Sequence, residues 1–137
     1  MRWPAEVAVD RATGVITVKR VVAAQDMGIV INPEGAKMQM EGCVTMGLGY
    51  VLSEELNFKG GAIADNNFDT YELPRFAAVP RIETLLVPND DLAPQGGGEP
   101  AIVPMGAVIA NAVFDATGVR MFRLPMTPAR VKVAMKA

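Results

Sequence analysis

An α+β architecture is expected for this chain of 137 residues on three observations. A β-branched hairpin opens the sequence, a capped amphipathic helix follows it at once, and a more apolar helix occupies the last third. In AEVAVDRATGVITVKRVVAAQD two β-branched segments flank DRATG, where Asp10 and Gly14 supply turn chemistry. The second strand of this hairpin is expected over about 15 to 25. After the loop MGIV, Asn32 is placed to cap a helix. Pro33 stands at its first position, and Glu34 in its first turn suits the positive end of the helix dipole. Ala36, Met40, Cys43, Val44, Gly47 and Val51 then recur at spacings of three and four, the apolar face of a helix of about five turns. Gln39 lies at the margin of that face. Glycines at 35, 42, 47 and 49 each cost such a helix up to about 1 kcal/mol relative to alanine, which implies close approach of another backbone, a ligand or a packed sheet.

EELNFKGGAIADNNFDTYEL reads as a short hairpin through Gly60-Gly61 and a polar loop, and RIETLLVP as a strand ended by Pro88. Pro104 fits the first turn of the second helix, and Gly118 fits the position just past its end. Between them GAVIANAVFDAT is apolar nearly all round, interrupted strongly only by Asn111 and Asp115, so burial on every side is expected, with part of the cover from a neighbouring domain or subunit. Thr127-Pro128 caps one more short helix. With no internal repeat, low-complexity tract or linker, residues 1–137 read as a single domain.

Composition narrows the function. Apolar residues make up 50% and charged residues 20%, a globular balance that can bury roughly 65 to 70% of the unfolded surface. A net charge of -2 with scattered Lys and Arg gives no footprint for nucleic acid. The single cysteine, Cys43, excludes an internal disulfide, and with no histidine there is no zinc or iron-sulfur ligand set, so a metal here must be held by something other than these side chains. No run approaches the roughly 20 apolar residues of a membrane span, and MRWPAEVAVD lacks a signal-peptide core. The chain passes from Trp3-Pro4 almost at once into the hairpin, as though an earlier portion preceded it.

The stretch LAPQGGGEPAIVPMG sets one carboxylate, Glu99, between three glycines and a proline. GGGEPA formally satisfies the dinucleotide pattern G-x-G-x-x-A, but NDDLAPQ separates it from the strand and a proline intervenes, which argues against that use. Two readings stay open. Gly96 to Gly98 form a surface turn with Glu99 as a solvated charge, or the glycines admit a ligand while Pro100 directs the carboxylate as a general base near the start of the second helix.

Three ordered motifs, AQDMGIVINPEGAKMQMEGCVTMGLGYVLSEEL, NFDTYELPR and GGGEPAIVPMGAVIANAVFDATGVRMFRLPMTP, run over about Val7 to Ala129. Together they resemble the C-terminal part of the large, molybdopterin-binding subunit of the xanthine dehydrogenase/aldehyde oxidase family, in the branch of the isoquinoline 1-oxidoreductase β-subunits. The resemblance implies the C-terminal portion of a molybdopterin-binding domain in a molybdenum hydroxylase. It implies an oxidoreductase that hydroxylates aldehydes or N-heterocycles with water as the oxygen source. Glu99 matches the family's general base, Gln39 a cofactor-binding glutamine, and Gly97 and Gly98 would line the cofactor; none of these ligates the metal. That cofactor would be molybdopterin carrying molybdenum, in bacteria commonly as the cytosine dinucleotide. Cys43 is expected to be a buried, inert thiol. The family's glycine-glutamine-glycine loop and its iron-sulfur cysteines do not occur here. The implied partners are therefore the remaining molybdopterin-binding chain and an iron-sulfur subunit, in the cytoplasm or, alternatively, the periplasm. The other reading is a non-catalytic cofactor scaffold of the same fold.

Overall fold

The computed structural model describes residues 4–136. Trp3, and with it half of the Trp3-Pro4 opening, lies outside the described residues. The first hairpin joins β1 (Ala5–Val9) to β2 (Ile16–Gln25) in antiparallel register, Ala5 opposite Val21 and Val9 opposite Ile16. Its turn is closed from Asp10, whose carboxylate accepts the N–H groups of Ala12 at 2.8 Å and Thr13 at 3.3 Å, and by Gly14 at φ +81°. The register slips between Glu6 and Val7, which pair with Arg20 and Val18 and leave Lys19 as an extra residue on β2. This bulge changes the parity of the strand. Val18 is buried before it, whereas Val21, Ala23 and Gln25 are buried after it, so Lys19 and Arg20 both face solvent.

β2 is followed by α1 (Pro33–Leu52), a minor hairpin of β3 (Phe58–Lys59) and β4 (Ala62–Ile63), and a 3-10 turn at Phe76–Ala78. β5 (Arg81–Leu86) then adds parallel to β2, giving the order β1-β2-β5. The hairpin turn falls on Gly60 and Gly61, both at positive φ, as a tight two-residue turn requires. The parallel pair is clamped on its outer face by Arg20, whose guanidinium donates to both oxygens of Glu83 at 2.9 and 2.8 Å.

α1 starts where its cap was expected, with the Asn32 side chain accepting the Gly35 N–H at 3.0 Å. Its buried residues Met40, Cys43, Val44, Gly47, Leu48 and Val51 face the sheet and α2 (Met105–Thr117). α2 ends at Gly118 in the left-handed conformation, φ +79°. Within this chain α2 is covered along one side, and the share of cover expected from a neighbouring domain or subunit would come from outside it. Only Met105, Ile109 and Val113 are buried, one stripe at four-residue spacing, while Ala107, Asn111 and Asp115 are exposed. Its neighbours within the chain are β1 and α1, which meet that stripe and leave the opposite face open. α3 (Pro128–Ala134) is capped by Thr127 and seats Val131 in the core. The Leu124–Pro125 peptide before it is cis. Among the described residues no helix is long and apolar enough to cross a membrane.

Candidate functional site at the glycine loop

The parallel pairing of β2 and β5 carries their two following connections to one end of the sheet. There the backbones are tied: Ile29 N–H donates to the Leu92 carbonyl at 3.0 Å and Gln95 N–H to the Met27 carbonyl at 2.9 Å. Gly28, at φ +67°, lets them close, because a Cβ there would lie 2.3 Å from the Ala93 carbonyl oxygen and 2.6 Å from that of Leu92. The Asp26 carboxylate accepts from Gly28 N–H at 3.1 Å and from the Asn89 amide at 2.8 Å. These two bonds, the backbone one foremost, hold its pKa below the ordinary aspartate value. Gly97 then runs over Met27, whose Sδ would be 2.9 Å from a Cβ at that position.

From this anchor the loop passes to α1. Gln39, Cys43, Gly47 and Tyr50, at spacings of four, four and three, lie along one stripe of the helix. The Gln39 amide and the Cys43 thiol both donate to the Gly98 carbonyl, the thiol at 3.2 Å. Gly47 leaves a gap that Met105 and Ile102 enter, a Cβ there lying 2.6 Å from Met105 Cγ. The Tyr50 hydroxyl donates to the Ile102 carbonyl at 2.7 Å. Between these two fixed carbonyls, Ile102 N–H donates to the Glu99 carbonyl at 3.0 Å and closes the turn.

Of the residues expected at the site, Gln39, Gly97, Gly98 and Glu99 are thus brought to one place, although Gln39 and Gly98 are 59 positions apart. Gln39, Gly98 and Glu99 are exposed and Gly97 is half-buried, so Gln39 sits at an open edge of this chain. A carbonyl can only accept, so the Gly98 oxygen fixes the Gln39 Nε2 toward itself and leaves the amide oxygen turned outward as an acceptor. The Glu99 carboxylate is engaged by no other described residue, nor are the N–H groups of Gly96, Gly97, Gly98 and Glu99. A Cβ at Gly96 or Gly98 would meet nothing within 4 Å. α2 begins only at Met105, so Glu99 stands in the turn ahead of the helix, outside the first helical turn where the dipole acts. Sequence reasoning missed the parts played by Cys43 and Tyr50. Their spacing from Gln39 along α1 was the available signal.

Residues 4–80, more than half of the chain, match the family model described as molybdopterin cofactor-binding domain. The chain belongs to that family. One relative, a component of the nicotinate dehydrogenase of Pseudomonas putida, is 42% identical over 97% of this chain and 11% of its own length. A membrane-bound aldehyde dehydrogenase of Gluconacetobacter polyoxogenes, whose name specifies pyrroloquinoline quinone, is 40% identical over 95% of this chain and 17% of its own. The β-subunit of isoquinoline 1-oxidoreductase from Brevundimonas diminuta is 36% identical over 90% of this chain and 16% of its own. The chain therefore spans between about a tenth and a fifth of the curated relatives it matches. The solved aldehyde oxidoreductase from Desulfovibrio gigas superposes with a TM-score of 0.85 at 32% identity, over 97% of this chain and 15% of that one.

The site fits the cofactor for which the family is named. Among the described residues no three His, Cys, Asp or Glu side chains cluster to hold a metal ion. The open surface of the glycines, the free N–H groups and the outward Gln39 oxygen offer donors and an acceptor to a polar heterocycle and its phosphate.

Proposed function

We propose that residues 1–137 act as one unit, the C-terminal portion of a molybdopterin-binding domain, and form one wall of the molybdenum site of an oxidative hydroxylase with Glu99 as its general base. What supports this reading is the Gly98 carbonyl, which accepts from Gln39 and Cys43 of α1 and lies next in the chain to the unengaged Glu99 carboxylate. The Gln39 amide oxygen and the backbone of Gly97 and Gly98 would hold the molybdopterin, taken as the cytosine dinucleotide. When bound, that group supplies a centre able to accept two electrons and pass them to an iron-sulfur partner. Pro100 fixes the backbone after Glu99, which limits the positions from which its carboxylate can reach the site. A Glu99 oxygen would take the proton released as oxygen from water adds to an electron-poor carbon, while the C–H bond at that carbon breaks and its hydrogen, with the electron pair, would go to the bound group; the carboxylate then holds its proton until solvent removes it. Aldehydes and nitrogen heterocycles are the substrate class supported by the names of the relatives. The rest of the pocket would come from the remaining molybdopterin-binding chain.

The test is Glu99→Gln in the assembly that purifies with this chain, assayed with nicotinate and with benzaldehyde against ferricyanide. Turnover is expected to fall by about a hundredfold or more while molybdenum content is unchanged, the scale on which acid-base groups contribute. Unchanged turnover at full molybdenum loading would leave the chain as a cofactor scaffold.

A further inference from the structure

Glu99 sits in a turn of five residues, 98 to 102, and α1 holds both ends of it. At one end the Gly98 carbonyl receives the Cys43 thiol at 3.2 Å and the Gln39 amide. The Gly98–Glu99 peptide is trans, so fixing that carbonyl fixes the opposite direction of the Glu99 N–H and with it the position of the Glu99 Cα. At the other end the Tyr50 hydroxyl holds the Ile102 carbonyl at 2.7 Å. Within the turn Ile102 N–H closes on the Glu99 carbonyl at 3.0 Å, and Pro100 locks φ. Only the side-chain torsions of Glu99 are left free. Tyr50 and Cys43 are both on the face of α1 that is covered, Cys43 being 5% exposed, and both donate to this one turn, the Tyr50 oxygen also accepting from the Gly106 N–H of α2. A tyrosine hydroxyl and a thiol committed to loop carbonyls are not needed to hold α1 against the sheet, which Met40, Val44, Leu48 and Val51 already do.

We infer that Cys43 and Tyr50 are positioning residues, a two-point splint on α1 that holds the turn carrying Glu99. The splint rests on the reading of Glu99 as base for its catalytic meaning, though not for its effect on the turn. Its worth lies in aim: a misplacement of about 1 Å at a catalytic group can cost on the order of a hundredfold in rate.

The experiment uses the full chain and three substitutions chosen to remove donors rather than bulk. Tyr50→Phe keeps the ring and deletes the hydroxyl, Cys43→Ala deletes the thiol, and Cys43→Ser restores a donor. Amide hydrogen exchange followed by NMR reads the Ile102 N–H directly. Tyr50→Phe is expected to speed exchange at Ile102 by about three- to tenfold, and Cys43→Ala by less, with the α1 amides unchanged and Cys43→Ser close to the parent. In the assembled enzyme both donor-deleting variants should lower kcat several-fold with KM and molybdenum content unchanged. Unaltered exchange at Ile102 in both Tyr50→Phe and Cys43→Ala overturns the splint. So does normal kcat in these variants while Glu99→Gln is crippled. A loosened turn together with a fully active Glu99→Gln upholds the splint and removes only the base reading.

Discussion

A side chain's absence decides more at this site than its presence. Gly28 and Gly61 both hold positive φ, +67° and +83°, yet their surroundings are opposite. At Gly61 a Cβ would meet nothing within 4 Å, so Gly61→Ala should cost only the backbone strain, about 1 to 2 kcal/mol. At Gly28 the same Cβ would lie 2.3 Å from a carbonyl oxygen, and the two connections would have to part. Gly28→Ala is expected to cost more than about 3 kcal/mol in urea unfolding and to speed amide exchange at Ile29 and Gln95. Equal costs for the two substitutions would show that the loops yield. None of this contrast is legible in the sequence, where both positions read simply as glycine in a loop. Glu99 was legible for a different reason: one carboxylate between GGG and a proline is rare enough locally to stand out. The donors to the Gly98 and Ile102 carbonyls on either side of it were not, because they lie on a helix more than fifty positions away.

The helices show the same division. Caps are local chemistry, and Asn32, Thr127 and Gly118 terminate their helices where sequence spacing placed them. What each face meets is decided elsewhere in the chain. Two α1 glycines at the same nominal propensity cost therefore separate: a Cβ at exposed Gly42 meets nothing within 4 Å, while one at Gly47 lies 2.6 Å from Met105 Cγ. Gly42→Ala should stabilise the chain by about 1 kcal/mol. Gly47→Ala should destabilise it despite the better helix former, since α2 must retreat from α1. Thermal melts of the two variants should move in opposite directions, and a gain at Gly47 would mean that α2 is not seated as described. The apolar character of α2 is silent on the complementary point: composition states what a helix tolerates, and the number of neighbouring layers sets how much of it is covered.

Over the whole molecule, two ion clusters set the acid response. Glu55 is held below the ordinary 4.5 first by its hydrogen bond from Arg130, aided by Arg123, and Glu83 first by Arg20. A carboxyl whose folded pKa is depressed contributes stability above its unfolded value and loses it as pH falls through the folded one. The melting temperature should therefore drop as pH falls below about 4.5, less steeply in high salt because both clusters are partly open to solvent, and Glu55→Gln with Glu83→Gln should flatten that limb. At the alkaline end burial pushes the Tyr50 phenol above 10.0, against a smaller pull from the Gly106 N–H. Its neutral form is favoured by the fold, so this contribution is present below pH 10.0 and is lost as pH rises through the higher folded value. Tyr50→Phe should remove that part of the alkaline limb, leaving the part due to Tyr71, raised first by its bond to Glu54.

The parallel pairing of β2 with β5 also has a kinetic consequence. Arg20 and Glu83 are 63 positions apart, so this pair closes a long loop before any of its contacts is rewarded. The α1 splint and the glycine loop can meet only after that closure. A chain emerging from synthesis thus has the Gln39, Cys43 and Tyr50 donors long before their acceptors at Gly98 and Ile102, and the site can form only once the residues after β5 have been made.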